Sequence, residues 1–380
     1  MGARLGQRKL ARRYVGVARV VGGVGAALAT AWMESDPLAG ILLAVVAFAL
    51  IGLGVGAAGT SLLVLLAKRV EERRRAAAAT IVWVMMIAGF VVTATAAGHL
   101  LDPFSPARLV AVTTGVAAAA FLVTLLAVWR VEGMPGQGAA ASATAKAPFR
   151  EALAQVWAEP LARRFTVFVF VSMLAYSAQD LILEPFAGIV FGLSPGESTR
   201  LSGVQHGGVL LGMLLVAIAG SAIGGRRLGS LRLWTIGGCF ASALALSFLV
   251  AAAFVGPGWP LRPSVFALGV ANGAFAVAAI GSMMGLAGSG RAAREGVRMG
   301  LWGAAQAIAF ALGGFAGTVA VDLTRLLVDA TALAYAWVFA GQAVLFLLSA
   351  GLAARVHHAR PERAPAPTVG GTCAASLGGG

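Results

Sequence analysis

Ten apolar runs recur along this chain, at about 14–33, 38–67, 76–101, 107–129, 165–184, 199–224, 231–255, 263–288, 299–321 and 331–354. Crossing the hydrocarbon core of a bilayer takes about 20 such residues, and a helix is the one single-segment form that satisfies its own backbone donors and acceptors there. Ten runs of that length in 380 residues leave little chain for anything else. Charged residues make up only 12% of the composition, where a soluble domain averages about 25%. The chain therefore reads as an all-α polytopic membrane protein. Glycine is abundant in the runs, which suits close packing of helix on helix.

The net charge of +14 would point a soluble protein toward nucleic acid. Here the placement of the charges gives a different answer. Of the 29 Lys and Arg residues, 24 fall in alternate connections, among them KRVEERRR, GGRRLGSLR, GRAAREGVR and both terminal segments. The other connections hold four, Arg108, Arg200, Arg262 and Arg325, and Arg19 lies in the first run. Basic connections stay in the cytoplasm, so both termini are expected there. Nucleic acid has no place in this reading. Cys239 lies in an apolar run and Cys373 in the tail, so neither a disulfide nor a metal pattern is expected.

The longest connection, 131–164, starts with a Gly/Ala/Ser-rich stretch that reads as a flexible linker. It ends in FREALAQVWAEPLARRF, which has the pattern of a short amphipathic helix on the cytoplasmic surface. The chain thus divides into a partial N-terminal half with four spans at 1–130, this linker, a six-helix half at 165–355 and a disordered cytoplasmic tail at 356–380. Transporters built of two helical halves show this arrangement, commonly with six helices in each. Four plus six is two short of twelve. The simplest reading puts Met1 in the loop before the third helix of the full fold. A ten-helix protein is the alternative.

One segment stands out from the apolar background. SAQDLILEPFAG, at 177–188, carries two carboxylates and an amide. An ionised carboxylate in hydrocarbon costs at least about 2.5 kcal/mol, so such residues face the bundle interior, a water cavity or the interface. Tyr176, Asp180 and Glu184 are spaced i, i+4, i+8, which puts them on one face of a continuous helix, with Gln179 about 100° away. Pro185 lacks a backbone donor and is expected to end or kink that helix. A structural use remains open for both carboxylates: helix capping or a hydrogen bond for Asp180, headgroup water for Glu184.

His206 follows in VQHGGVLLG, where two adjacent glycines leave room for a flat ligand. Neutral imidazole can bind a metal, including the magnesium of a chlorin. The alternative is a hydrogen bond from His206 or Gln205 back to Asp180 or Glu184 on the preceding antiparallel helix. His99, near Asp102, reads as an interface histidine, and His357 and His358 as part of the basic tail. No nucleotide-binding loop, zinc-hydrolase motif or serine-hydrolase elbow is present, so an enzyme is not expected.

Gly220, Arg226, Arg227 and Gly229 resemble a worn copy of the cytoplasmic Gly-x-x-x-Asp-Arg-x-Gly-Arg-Arg motif of major facilitator proteins, without its Asp. GRAAREGVRMG and KRVEERRRAA sit at matching places in the two halves, as an internal repeat would place them. Gln179, Asp180, Leu183, Glu184, Pro185, Phe186 and Gly188, followed by Gly192-Leu193-Ser194, carry a closer resemblance. This segment is similar to the Gln-Asp-x-Leu-Leu-Glu-Pro-Tyr/Phe-Gly-Gly stretch of the bacteriochlorophyll-delivery family, the PucC/LhaA-type proteins of phototrophic bacteria. LDPFSPARLV, GVANGAFAVAAIGSMMGLA and GLWGAAQAIAFALGG extend the likeness over most of the chain. Ala187 departs from it, standing where the usual glycine pair begins.

The resemblance implies a major-facilitator-like bundle in the inner, intracytoplasmic photosynthetic membrane. It implies a role in light-harvesting complex assembly, with bacteriochlorophyll or a precursor as bound ligand and antenna polypeptides as partners. A homo-oligomer is compatible with it. On this reading Tyr176, Gln179, Asp180, Glu184, Gln205 and His206 contact ligand or partner, and His206 is a candidate magnesium ligand. The competing expectation is a proton-coupled transporter of a small solute, with Asp180 and Glu184 as the titrating pair.

Overall fold

The computed structural model describes residues 20–71, 75–128, 149–220, 229–288, 295–328 and 330–358. The linker stretch 129–148, most of the 220–232 loop that resembles a major facilitator motif, and the tail beyond 358 lie outside the described residues, as does Cys373. Twelve helices occur among the described residues. The first four are α1 (Val20–Trp32), α2 (Pro37–Arg69), α3 (Arg75–Leu100) and α4 (Pro106–Val128). The short α5 (Phe149–Ala158) precedes α6 (Pro160–Asp180), α7 (Leu183–Phe191) and α8 (Pro195–Ala219). The chain closes with α9 (Leu231–Val255), α10 (Leu261–Gly288), α11 (Glu295–Leu327) and α12 (Thr331–His358).

Nine stretches of these helices are long and apolar enough to cross a membrane, with α6 and α7 together forming one of them. The tenth run, at 14–33, is described only from Val20. The bundle of spanning helices bears out the all-α polytopic class. One boundary differs from the sequence pattern. Pro160 sits in the first turn of α6, where its missing N–H is not needed, so the helix starts there and takes PLARRF into the span.

The packed core belongs to the helices from α6 onward. Phe165, Phe168, Phe275, Phe339, Phe346 and Trp302 are all but fully buried between them. α6 packs against α11 and α12, α12 against α9, α9 against α10, and α10 against α8. The α8–α10 contact is the tightest, and glycine makes it possible. A Cβ added at Gly208 would meet the Phe266 carbonyl oxygen, and one at Gly212 would meet that of Val270. Gly269 and Gly273 return the contact against the Gln205 and Val209 carbonyl oxygens. Hydrophobic driving force between helices is small in lipid, so close backbone approach through small residues supplies the attraction.

The first four helices join this core mainly through α3, which lies antiparallel against α8. Ile87 of α3 packs with Val209 and Met213 of α8. No described residue of α4 is buried. Leu122, Val123, Leu125 and Leu126 are exposed, which suits a helix end surrounded by lipid.

Candidate functional site

The carboxylate segment does not form one helix. α6 ends at Asp180 and α7 starts at Leu183, with Leu181 and Ile182 between them. Pro185 explains the break: it has no N–H to give to the Leu181 carbonyl, four residues back. The chain tightens instead, with the Ile182 amide donating to the Gln179 carbonyl at 3.2 Å. Pro185 therefore sits inside the first turn of α7, and the interruption falls before it. Tyr176 and Asp180 keep their shared face on α6. Glu184 leaves it, which corrects the i, i+4, i+8 alignment expected for a continuous helix.

α7 carries Glu184 to α8, where its Oε1 accepts a 2.6 Å hydrogen bond from the Ser202 hydroxyl. One turn further along α8, His206 Nδ1 lies 2.8 Å from the Ser202 carbonyl oxygen. Phe90 of α3 meets the His206 ring edge-on, with centroids 5.3 Å apart. Glu184 and His206 thus converge on one residue, Ser202, from two directions. The expected direct bond from His206 or Gln205 to Asp180 or Glu184 does not form. The serine stands between the carboxylate and the imidazole.

The other expected residues are placed as follows. Asp180 is exposed and makes no hydrogen bond or ion pair with a described residue. The Tyr176 ring lies 5.8 Å from that of Phe310 on α11. Gln179 is 0% exposed, and neither amide atom has a hydrogen-bond partner. Gln205 is buried against α10, with its backbone at Gly269. Of the two glycines after His206, Gly208 is taken up by the α10 contact, and only Gly207 borders open space. Among the described residues no group of three His, Cys, Asp or Glu could hold a metal ion.

A second polar cluster lies at the ends of α3 and α8, on the face away from α5. Arg200 Nη1 is 2.7 Å from Asp102 Oδ2, and the Ser194 hydroxyl donates to Asp102 Oδ1 at 2.9 Å. His99 Nδ1 is 3.4 Å from Arg200 Nη1. Ser194 and Glu197 cap α8 reciprocally, each side chain bonded to the other's backbone N–H. Sequence reasoning passed over Ser202, Phe90, Ser194 and Arg200 as site residues. The i, i+4 spacing of Ser202 and His206 was readable. The approach of Phe90 and Asp102 to α8 was not, because it crosses about a hundred residues of chain.

In class, these elements make a major-facilitator-like bundle with a polar seam in an apolar wall. The bacterial homologue of the human lysosomal transporter Spinster, solved inward-facing and unoccupied, is similar in fold: the TM-score is 0.59 at 16% identity, covering 92% of this chain and 85% of that one.

A family model described as PUCC protein matches residues 5–360, and the chain belongs to that family. It is 52% identical over 360 residues to the bacteriochlorophyll synthase 44.5 kDa chain of Rhodobacter capsulatus, covering 94% of this chain and 82% of that relative. It is also 27% identical over 367 residues to protein PucC of Cereibacter sphaeroides, covering 88% of this chain and 73% of that one. Protein PucC of Rhodobacter capsulatus is 28% identical over 291 residues, and the chain spans 61% of its length.

Proposed function

We propose that this protein is a light-harvesting assembly factor that binds bacteriochlorophyll or a precursor and delivers it to antenna polypeptides. It works in the photosynthetic membrane, with both termini in the cytoplasm. It holds and hands over its ligand and performs no catalysis. Membership of the PUCC protein family supports the reading, as does the name of the Rhodobacter capsulatus relative, which refers to bacteriochlorophyll. The structural observation that carries it is the line Glu184–Ser202–His206, a polar strip shared by α7 and α8. A pigment is mostly flat hydrocarbon with a polar, metal-bearing centre, and a strip of this kind matches it.

Tyr176, Gln179, Asp180, Glu184, Gln205 and His206 supply the polar contacts in this reading. Gln179 supports it, being a buried amide with no protein partner. The competing reading, a proton-coupled transporter, draws on the fold and on Asp180, which has no described partner.

The test is purification from a phototrophic host, with an absorption spectrum and a search for co-purifying antenna subunits. Pigment and antenna in the preparation are expected. A colourless preparation without antenna subunits sinks the proposal. Solute uptake by vesicles that depends on a proton gradient and is lost in Asp180→Asn favours the transporter.

A further inference from the structure

Resting on the pigment-binding reading above, we infer that His206 presents Nε2 as the axial ligand to the central magnesium of a chlorin, with Ser202 and Phe90 holding the ring in place. Three observations carry this.

The first is the tautomer. A carbonyl oxygen only accepts, so the 2.8 Å contact between His206 Nδ1 and the Ser202 carbonyl requires the proton to sit on Nδ1. In a neutral imidazole the lone pair is then on Nε2. Metal-ligating histidines are commonly held this way, with one nitrogen donating to a carbonyl and the other free to bind.

The second is direction. Successive residues step round a helix by about 100°. On α8, Leu211, Leu214, Leu215 and Ile218 are exposed and define the lipid-facing side. Gly208 and Gly212 face α10, and Gly196 and Gly203 face α3. Ser202, His206 and Met213 fall opposite the exposed side, between those two contacts. His206 therefore looks into the bundle. Among the described residues Nε2 has no hydrogen-bond partner, and it is not among the buried polar atoms, so it is left as the ring's free donor.

The third is the chemistry of the donor set. A magnesium already held by four macrocycle nitrogens needs one more donor, and a single imidazole supplies it. Phe90, edge-on to the imidazole, limits its rotation. The Ser202 hydroxyl is engaged by Glu184, which steadies the turn that supplies the carbonyl.

The test uses the full chain in lipid nanodiscs, titrated with bacteriochlorophyll a and separately with metal-free bacteriopheophytin a. The wild-type protein is expected to bind the magnesium pigment at least tenfold more tightly and to move its Qx band to the position of an axially ligated metal. His206→Leu is expected to abolish that preference, so that the magnesium pigment binds no more tightly than bacteriopheophytin, and added imidazole should restore the band. Should His206→Leu not fold, His206→Phe keeps an aromatic ring against Phe90 with no donor for magnesium and must show the same loss. Equal binding of both pigments by the wild type overturns the assignment and leaves pigment binding standing. A histidine variant that retains preference and band does the same. If the wild type binds neither pigment, the proposed function falls and the assignment with it.

Discussion

The Asp102 carboxylate and the Arg200 guanidinium lie 2.7 Å apart and fasten the loop between α3 and α4 to the first turns of α8. The pair joins the helices before the linker to those after it. Arg108 stiffens the loop by donating to the Asp102 carbonyl at 2.5 Å and the Pro103 carbonyl at 3.1 Å. Both side chains of the pair are partly exposed, 23% and 30%, so the contact is worth about 1 kcal/mol and is screened by salt. Asp102→Ala and Arg200→Ala should each lower stability by about that much. The double variant should lose less than the sum, which a double-mutant cycle in thermal melts would read.

The glycine contact between α8 and α10 should tolerate no side chain. At Gly212 a Cβ meets the Val270 carbonyl oxygen and lies 2.8 Å from the Ala274 amide nitrogen, both of them backbone that cannot turn aside. Gly212→Leu should destabilise by about 2 kcal/mol or more through overpacking. Gly237→Ala in α9, where an added Cβ meets nothing within 4 Å, should be neutral or gain up to about 1 kcal/mol in helix propensity. Melting of the two purified variants in one detergent checks both expectations.

Arg298 at the start of α11 is 6% exposed and holds Glu159 through Nη2 at 2.6 Å and Nε at 3.1 Å. Glu159 is the residue just before α6, so the pair docks one helix start on another. Removing Glu159 takes this carboxylate away from a largely buried guanidinium. Glu159→Ala should destabilise by about 1–3 kcal/mol, the range for losing a hydrogen bond to a charged group. Arg298→Lys should not fully replace arginine, because an ammonium cannot reproduce the two-nitrogen grip. Membrane yield and denaturation midpoints measure both.

Glu184 and Ser202 share one hydrogen bond across α7 and α8. In the assembly reading, Glu184→Ala and Ser202→Ala should lower antenna levels to a similar degree, and the pair of substitutions should lower them little further. Near-infrared absorbance of membranes from complemented cells measures this. Fully additive losses would mean that the two side chains act separately.

Much of the fold was legible because lipid constrains it so strongly. Nine of the ten apolar runs are helices long enough to span among the described residues, and the topology is expected from the placement of 24 basic residues. The site was legible only in its parts. SAQDLILEPFAG announced itself as charge in an apolar setting, and Pro185 announced an interruption. Where that interruption fell was a matter of backbone geometry. The missing Pro185 donor is felt four residues back, and that displacement moved Glu184 off the Tyr176–Asp180 face.

The sequence by itself determined that this chain is a bundle of membrane helices, because no other structure satisfies so many apolar runs in lipid. It also determined which few polar residues needed a reason to be there. Only the tertiary structure decided their partners: Glu184 with Ser202, His206 with the Ser202 carbonyl and Phe90, and Asp102 with Arg200. Hydropathy acts on each segment alone and so can be read along the chain. Hydrogen bonds act between segments brought together in space, and the departure from helical dihedrals at Leu181 (φ −85°, ψ −16°) and Ile182 (φ −103°, ψ −17°) was enough to change which ones form.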